Sequence, residues 1–317
     1  MKQVYSLAVL LLFSFAASAQ QKTIKEEKSF HVLSSESTEE TQSDKQLIIL
    51  QTSDTHSRID PINKDAADAY AGMGGVVRRS SFIKEVRSKH SEVLLFDCGD
   101  FSQGTPYYNL FQGEVEIKMM NLMKYDAMTI GNHEFDFGLD NMARLFRMAN
   151  FPIVCSNYDV KGTVLEGLVE PYLILERGGL KIGILGLAPQ MEGLVQADKC
   201  EGIVYNDPIE VAQKMADFLK LDANCDVVIC LSHLGIRSAS TVCDESLVSK
   251  TRNLDVILGG HSHTFMERPM NYLNADGKNV RVSHTGKNGI FVGVLEMTLG
   301  KKIKQNQSSS NYSRSIK

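Results

Sequence analysis

Five short segments concentrate the residue types that bind cations: Thr52-Ser53-Asp54-Thr55-His56, Asp97-Cys98-Gly99-Asp100, Gly131-Asn132-His133-Glu134, Ser232-His233 and Gly259-Gly260-His261-Ser262-His263. Five of the eight histidines fall in them. A single histidine of this kind is most simply a hydrogen-bonded structural residue. Five of them, together with Asp54, Asp100 and Asn132 at the same kind of position, are not explained by coincidence. Carboxylates, amide oxygens and imidazoles ligate divalent cations, and an imidazole-rich set favours Zn, Mn, Fe, Co or Ni over Mg or Ca. Gly99, Gly131, Gly259 and Gly260 stand beside the candidates, where a backbone without Cβ can turn sharply and approach a cluster closely. His284 also ends a strand-like run and is a candidate for the edge of such a site, whereas His31 and His90 need no functional reading.

Each segment follows an apolar run: 47–50, 93–96, 127–130, 227–231 and 256–258. Continuous runs of this length, with further ones at 153–155 and 182–185, predict strands buried on both faces. Between them, helical patterns fall at 75–89, 114–124, 139–148 and 208–219, the last opened by Asp207 as N-cap and Pro208 in the first turn. Residues 280–284 and 290–299 read as strands joined by the turn signal Lys287-Asn288-Gly289. The alternation predicts an α/β protein. Because ligands of such sheets bind beyond the carboxyl ends of the strands, the five segments can converge on one site.

The N-terminus carries Lys2, an apolar run at 7–15 and Ala17-Ser18-Ala19, the pattern of a signal peptide covering 1–19. That run is shorter than the roughly 20 residues of a spanning helix, so no stable membrane anchor is expected and the protein reads as exported, periplasmic or extracellular. Residues 20–45 are polar and read as a flexible leader, 46–300 as the folded domain and 301–317 as a polar tail. Removal of the signal peptide leaves about 300 of the 317 residues, enough for one large domain or two small ones. The net charge of −4 argues against a surface that coats a nucleic-acid polymer. Cys98, Cys155 and Cys230 sit in apolar runs as buried thiols, while Cys200, Cys225 and Cys243 are the better disulfide candidates.

These blocks resemble the calcineurin-like metallophosphoesterase superfamily, whose pattern D-x-H, G-D, G-N-H-[DE], H and G-H-x-H appears in order at Asp54-Thr55-His56, Gly99-Asp100, Gly131-Asn132-His133-Glu134, His233 and Gly260-His261-Ser262-His263. Thr52-Ser53 before the first block, Gly74-Gly75 with Arg78-Arg79, Phe135-Asp136 after the third block, and residues 178–187 are similar to the N-terminal catalytic domain of bacterial 5′-nucleotidases. The resemblance implies a four-layer α/β/β/α sandwich and two divalent metal ions. One would be bound by Asp54, His56, Asp100 and His263, and the other by Asp100, Asn132, His233 and His261. It also implies a His133–Asp136 dyad that contacts the phosphate. Zn or Mn come first among the ions, with Fe, Co or Ni also accommodated. Two ions can generate a bound hydroxide and clamp the phosphoryl oxygens during in-line attack. With two aspartates, neutral imidazoles and one hydroxide, the core would carry about +1, which favours an incoming phosphate.

The expected function is therefore hydrolysis of nucleotides or similar small phosphate esters. Two-domain members of the family carry most nucleoside contacts on a C-terminal domain beyond the region matched here. A separate polypeptide supplying that domain is one expectation, and a looser phosphoesterase acting alone is another. Rival readings are a nucleotide-sugar or cyclic-nucleotide phosphodiesterase, a sulfur-ester hydrolase of the same fold, and a non-catalytic metal-binding subunit. The presence of both His133 and Asp136 counts against the last.

Overall fold

Strands apolar at every position must be covered on both faces, and the computed structural model, which describes residues 45–238, 241–299 and 312–315, covers them with a second sheet on one side and helices on the other. The first sheet contains β1 (Lys45–Thr52), β2 (Val93–Asp97), β3 (Ala127–Met128), β4 (Ile153–Val154), β6 (Val169–Glu170), β14 (Phe291–Leu299) and β15 (Tyr312–Ser315), in the order β15-β14-β1-β2-β3-β4-β6. The second contains β7 (Tyr172–Arg177), β8 (Leu180–Leu187), β10 (Val227–Ser232), β11 (Val256–Gly259), β12 (Met270–Leu273) and β13 (Asn279–His284), in the order β12-β13-β11-β10-β8-β7. Strands β5 (Tyr158–Asp159) and β9 (Val204–Tyr205) form a separate small ribbon. The helices are α1 (Val76–Lys89), α2 (Pro106–Phe111), α3 (Glu114–Met123), α4 (Gly138–Met148), α5 (Pro208–Asp217) and α6 (Asp244–Lys250).

Because side chains alternate along a strand, each central strand serves two cores. Leu47, Ile49, Leu94 and Phe96 of the first sheet meet Val227, Ile229, Leu231, Val256 and Leu258 of the second between the sheets. Ile48, Leu50, Val93 and Leu95 point the other way, to Ile83 of α1, Ile117 and Met120 of α3, and Met142 and Leu145 of α4. Val228, Cys230 and Ile257 likewise pack against Ala212 and Ala216 of α5 and Leu247 and Val248 of α6. Each fully buried Leu or Ile stabilises by about 1.5–3 kcal/mol relative to exposure. The four-layer α/β/β/α arrangement follows.

The sheets are parallel at their centres: β1, β2 and β3 run together, as do β8, β10, β11 and β13. Antiparallel strands lie at the margins, where β14 pairs β1 and β12 pairs β13. The carboxyl ends of β1, β2, β3, β10 and β11 come together. Gln51 near the end of β1 donates from Nε2 to the carbonyls of Gly259 (3.0 Å) and Ser283 (3.2 Å) in the other sheet. The Cys98 thiol donates to the Leu258 carbonyl at 3.1 Å.

Several local expectations hold. Asp207 caps α5, accepting from the Ile209 and Glu210 amides at 2.8 and 3.0 Å. Helical winding continues past α5 through Phe218–Asp222 in a wider turn. Others are corrected. The turn at Lys287-Asn288-Gly289 does not close a hairpin: β13 belongs to one sheet and β14 to the other. Within the stretch read as a polar tail, Tyr312–Ser315 pairs antiparallel with β14, whose edge offers unpaired backbone groups. Cys200, Cys225 and Cys243 are free thiols, as are Cys98, Cys155 and Cys230; Cys225 is buried in the apolar core under α5, and Cys243 is buried with its sulfur 3.6 Å from Ser246 Oγ. The expected signal peptide at 1–19 lies outside the described residues, as does nearly all of the leader. No helix of the described residues is long and apolar enough to cross a membrane.

Candidate metal centre

The strand ends deliver the candidate residues onto tightly curved backbone. Asp54, His56, Asp100, His261 and His263 all adopt positive φ, between 47° and 71°. Such a conformation in a residue with Cβ costs on the order of 1–3 kcal/mol and persists only where surrounding contacts enforce it. Those contacts are backbone hydrogen bonds between segments: Asp54 N–H to the Gly99 carbonyl (2.9 Å), His56 N–H to the Asp100 carbonyl (3.1 Å) and Asn288 N–H to the Asp54 carbonyl (2.7 Å). At two of the glycines beside these residues an added side chain would collide with the site. A Cβ on Gly131 would lie 2.1 Å from Asp100 Oδ1, and one on Gly260 would lie 2.1 Å from Ser53 Oγ.

Two groups of donors result. In the first, Asp54, His56 and His263 bring one ligand atom each to within 4.8 Å of one another; in the second, Asp100, His233 and His261 do the same. The Nε2 atoms of His56 and His263 face each other at 2.9 Å, and Asp54 Oδ1 stands 4.0 Å from the former and 3.6 Å from the latter. In the second group, His233 Nε2 lies 3.0 Å from Asp100 Oδ2, and Asn132 Oδ1 lies 2.9 Å from His261 Nδ1. The groups adjoin: Asp54 Oδ1 is also 3.9 Å from His233 Nε2. All seven candidate residues therefore gather at one place. His284 does not join them; its Nε2 instead faces Asp244 Oδ2 at 2.7 Å behind the site.

Carbonyl groups aim the imidazoles. His56 Nδ1 faces the Ser102 carbonyl at 3.2 Å and His233 Nδ1 the Cys98 carbonyl at 2.5 Å, so each ring directs Nε2 into its cluster. A carbonyl on the far nitrogen fixes the tautomer and orientation that a metal ligand needs. His233 Nε2 is wholly buried and, although close to Asp100, makes no hydrogen bond of acceptable geometry. This donor set fits divalent cations.

Electrostatics agree. Burial pushes His56 and His261 down to about 4, keeping both neutral as ligands must be. Burial also pushes the Asp54 carboxyl up to about 7, with Asp100 adding to the shift and His233 opposing it. For Asp100 burial acts upward, but His233 outweighs it and holds the carboxyl well below the usual range. The same contact outweighs the burial of His233 and raises its imidazole to about 10. A proton on His233 thus neutralises the spot a divalent cation would neutralise, and uptake of the cation must release it.

Beside the clusters, His133 Nδ1 faces Asp136 Oδ2 at 3.1 Å, and the His133 ring lies 5.5 Å from that of His56. The hydrogen bond to Asp136 raises the His133 pKa against partial burial. The His133 amide donates to Asp100 Oδ1 at 2.9 Å. Glu134, which the sequence presents as an ordinary helix-start acid, is buried and accepts from the amides of Asp100 (3.0 Å) and Gly131 (2.6 Å) and from Ser102 Oγ (3.2 Å). It ties two of the ligand-bearing turns together. Only its place within Gly131-Asn132-His133-Glu134 hints at this.

Two mixed sheets between helices, with paired His/Asp clusters at their adjoining strand ends, define a metallophosphoesterase. The chain belongs to the calcineurin-like phosphoesterase family, matching its sequence pattern over residues 47–265. It is 34% identical over 288 residues to the snake venom 5′-nucleotidase of Crotalus adamanteus, a match that covers 84% of this chain and 47% of that protein. Among solved structures, it resembles the 5′-nucleotidase precursor of Thermus thermophilus with a TM-score of 0.76 and 29% identity, covering 86% of this chain and 54% of the other. The NAD nucleotidase of Haemophilus influenzae gives a TM-score of 0.72 and 28% identity over 81% of this chain and 48% of the other. The chain spans about half the length of the curated relatives it matches, and corresponds to their N-terminal part.

Proposed function

We propose that the protein is an exported, dinuclear-metal hydrolase of small phosphate monoesters, nucleotides first among them. The observation that carries this reading is the pair of adjoining clusters, Asp54/His56/His263 and Asp100/His233/His261. Asn132 would complete the second set and Asp100 would join the two. Divalent ions bound there supply an activated water and positive charge for the phosphoryl oxygens. The chain's own residues supply the rest. The Ser102 and Cys98 carbonyls hold the His56 and His233 rings in the ligating orientation. The hydrogen bond to Asp136 favours a proton on His133, whose half-exposed ring can present one from Nε2 to the phosphoryl group or departing oxygen. Export rests on the pattern at 1–19. The implied partner is a small phosphate ester.

The test is phosphate release by chelator-treated protein reconstituted with Zn²⁺ or Mn²⁺ and given AMP, UDP-glucose or a chromogenic phosphoester. Release from AMP and the chromogenic ester is the expected result. Cleavage of UDP-glucose with neither monoester hydrolysed would favour a phosphodiesterase, a reading to which the likeness to an NAD nucleotidase lends weight. His233→Ala should lower the rate by more than about a hundredfold, since even the partners behind metal ligands account for about 10–100-fold. Full activity of that variant, with its fold intact by circular dichroism, would sink the proposal.

A further inference from the structure

Behind the loop that carries His261 and His263 lies a buried polar chain. Asp244, the first residue of α6, is fully buried; its Oδ1 accepts from Ser232 Oγ at 2.5 Å and its Oδ2 faces His284 Nε2 at 2.7 Å. His284 is 1% exposed, and its Nδ1 has no hydrogen-bond partner. A bare lone pair is tolerated there better than an unsatisfied N–H, so the ring is best satisfied with its proton on Nε2, donating to Asp244. Ser232 ends β10 and immediately precedes His233, while His284 ends β13. Gly259, the end of β11, passes over both partners: a Cβ on it would lie 2.1 Å from His284 Nε2 and 2.5 Å from Asp244 Oδ2. The Gly260 amide then returns to the Ser232 carbonyl at 2.9 Å.

We propose that Ser232, Asp244 and His284 form a positioning unit that sets the height of three neighbouring strand ends, and through them the separation of His233 from His261. The unit touches no substrate and contributes no ligand. Its influence falls unequally on the two clusters. His233 and His261, with ring centroids 5.1 Å apart, follow β10 and β11, whereas in the other cluster only His263 follows β11, and Asp54 and His56 are carried by the first sheet. Loss of the unit should therefore weaken the ion at Asp100/His233/His261 more than the ion at Asp54/His56/His263. A general loss of stability has no reason to discriminate between them.

This inference rests on the reading that the clusters hold divalent ions. Calorimetric titration of chelator-treated full chain with Zn²⁺ separates the two claims. Two binding events in the unaltered protein uphold the metal centre, and none would overturn that reading itself. With two events present, Ser232→Ala, which removes one hydroxyl, and Asp244→Ala should each weaken one event by about tenfold or more and the other by clearly less. Asp244→Asn should restore the weakened event, because the amide can accept from His284 and donate to Ser232 Oγ. If Ser232→Ala leaves both events unchanged, or weakens both alike, the positioning unit is refuted, whether or not Asp244→Ala folds.

Discussion

A methyl group added at residue 131 would lie 2.1 Å from Asp100 Oδ1, and the carboxylate it displaces is part of the second cluster. Because that methyl would also lie 2.6 Å from the Asp100 amide nitrogen, Gly131→Ala should lower divalent-cation affinity by about tenfold or more; calorimetric titration of a variant whose circular dichroism is unaltered checks this, and unchanged affinity would mean that the Asp100 turn yields freely. The residues that could be read beforehand are those whose type is uncommon for their position, such as His233 after an apolar run or two histidines flanking Ser262. Glu134, Gln51 and Asp244 could not be read that way. An acid at a helix start or a glutamine near a strand end is usually solvated, and only the packed structure reveals that these three are buried and bonded across segments.

At the scale of elements, the ends of the two sheets are tied by Gln51, which reaches two carbonyls of the second sheet from β1. Gln51→Ala leaves buried carbonyls without their donor and should cost about 1–3 kcal/mol in urea unfolding, together with a loss of phosphatase activity at temperatures where the variant remains folded. Asp207→Ala provides the contrast. Loss of this cap should cost about 1 kcal/mol and leave turnover unchanged, because α5 carries no candidate ligand. The apolar runs identified the central strands because strands buried on both faces have a strong compositional signature. Which sheet each strand joins had no such signature, so the 287–289 turn was open to reading as a hairpin when it crosses between sheets. Edge strand β12, largely exposed, and the short helices α2 and α6 have too few apolar positions to establish a period.

For the molecule as a whole, two buried carboxylates, Asp54 and Asp100, share the site, and burial, with Asp100 adding to it, pushes the Asp54 carboxyl up to about 7. A cation offsets that buried charge and binds only the folded form. At a hundredfold excess over Kd, one ion adds about 2.7 kcal/mol, which for a domain of this size corresponds to about 2–4 °C in Tm per kcal/mol. Chelation should accordingly lower Tm by about 5–10 °C per tightly held ion, and re-addition of Zn²⁺ or Mn²⁺ should restore it. An unchanged melting curve would contradict the linkage. The α/β class was legible because alternating apolar and helical patterns allow few architectures, whereas the four layers were implied by the family resemblance. The meeting of the two sheets at one corner was not legible, since that geometry depends on contacts between distant segments.

The facing Nε2 atoms of His56 and His263 are separated by 207 residues of chain. During synthesis, no nascent segment owns a complete ligand set until nearly all of the domain has emerged and both sheets have formed. Capture of the cation is then a closing event rather than a seed for folding. In a preparation of mixed quality, bound metal per chain would count the molecules that reached the finished topology, and would leave out those whose secondary structure alone would pass as native.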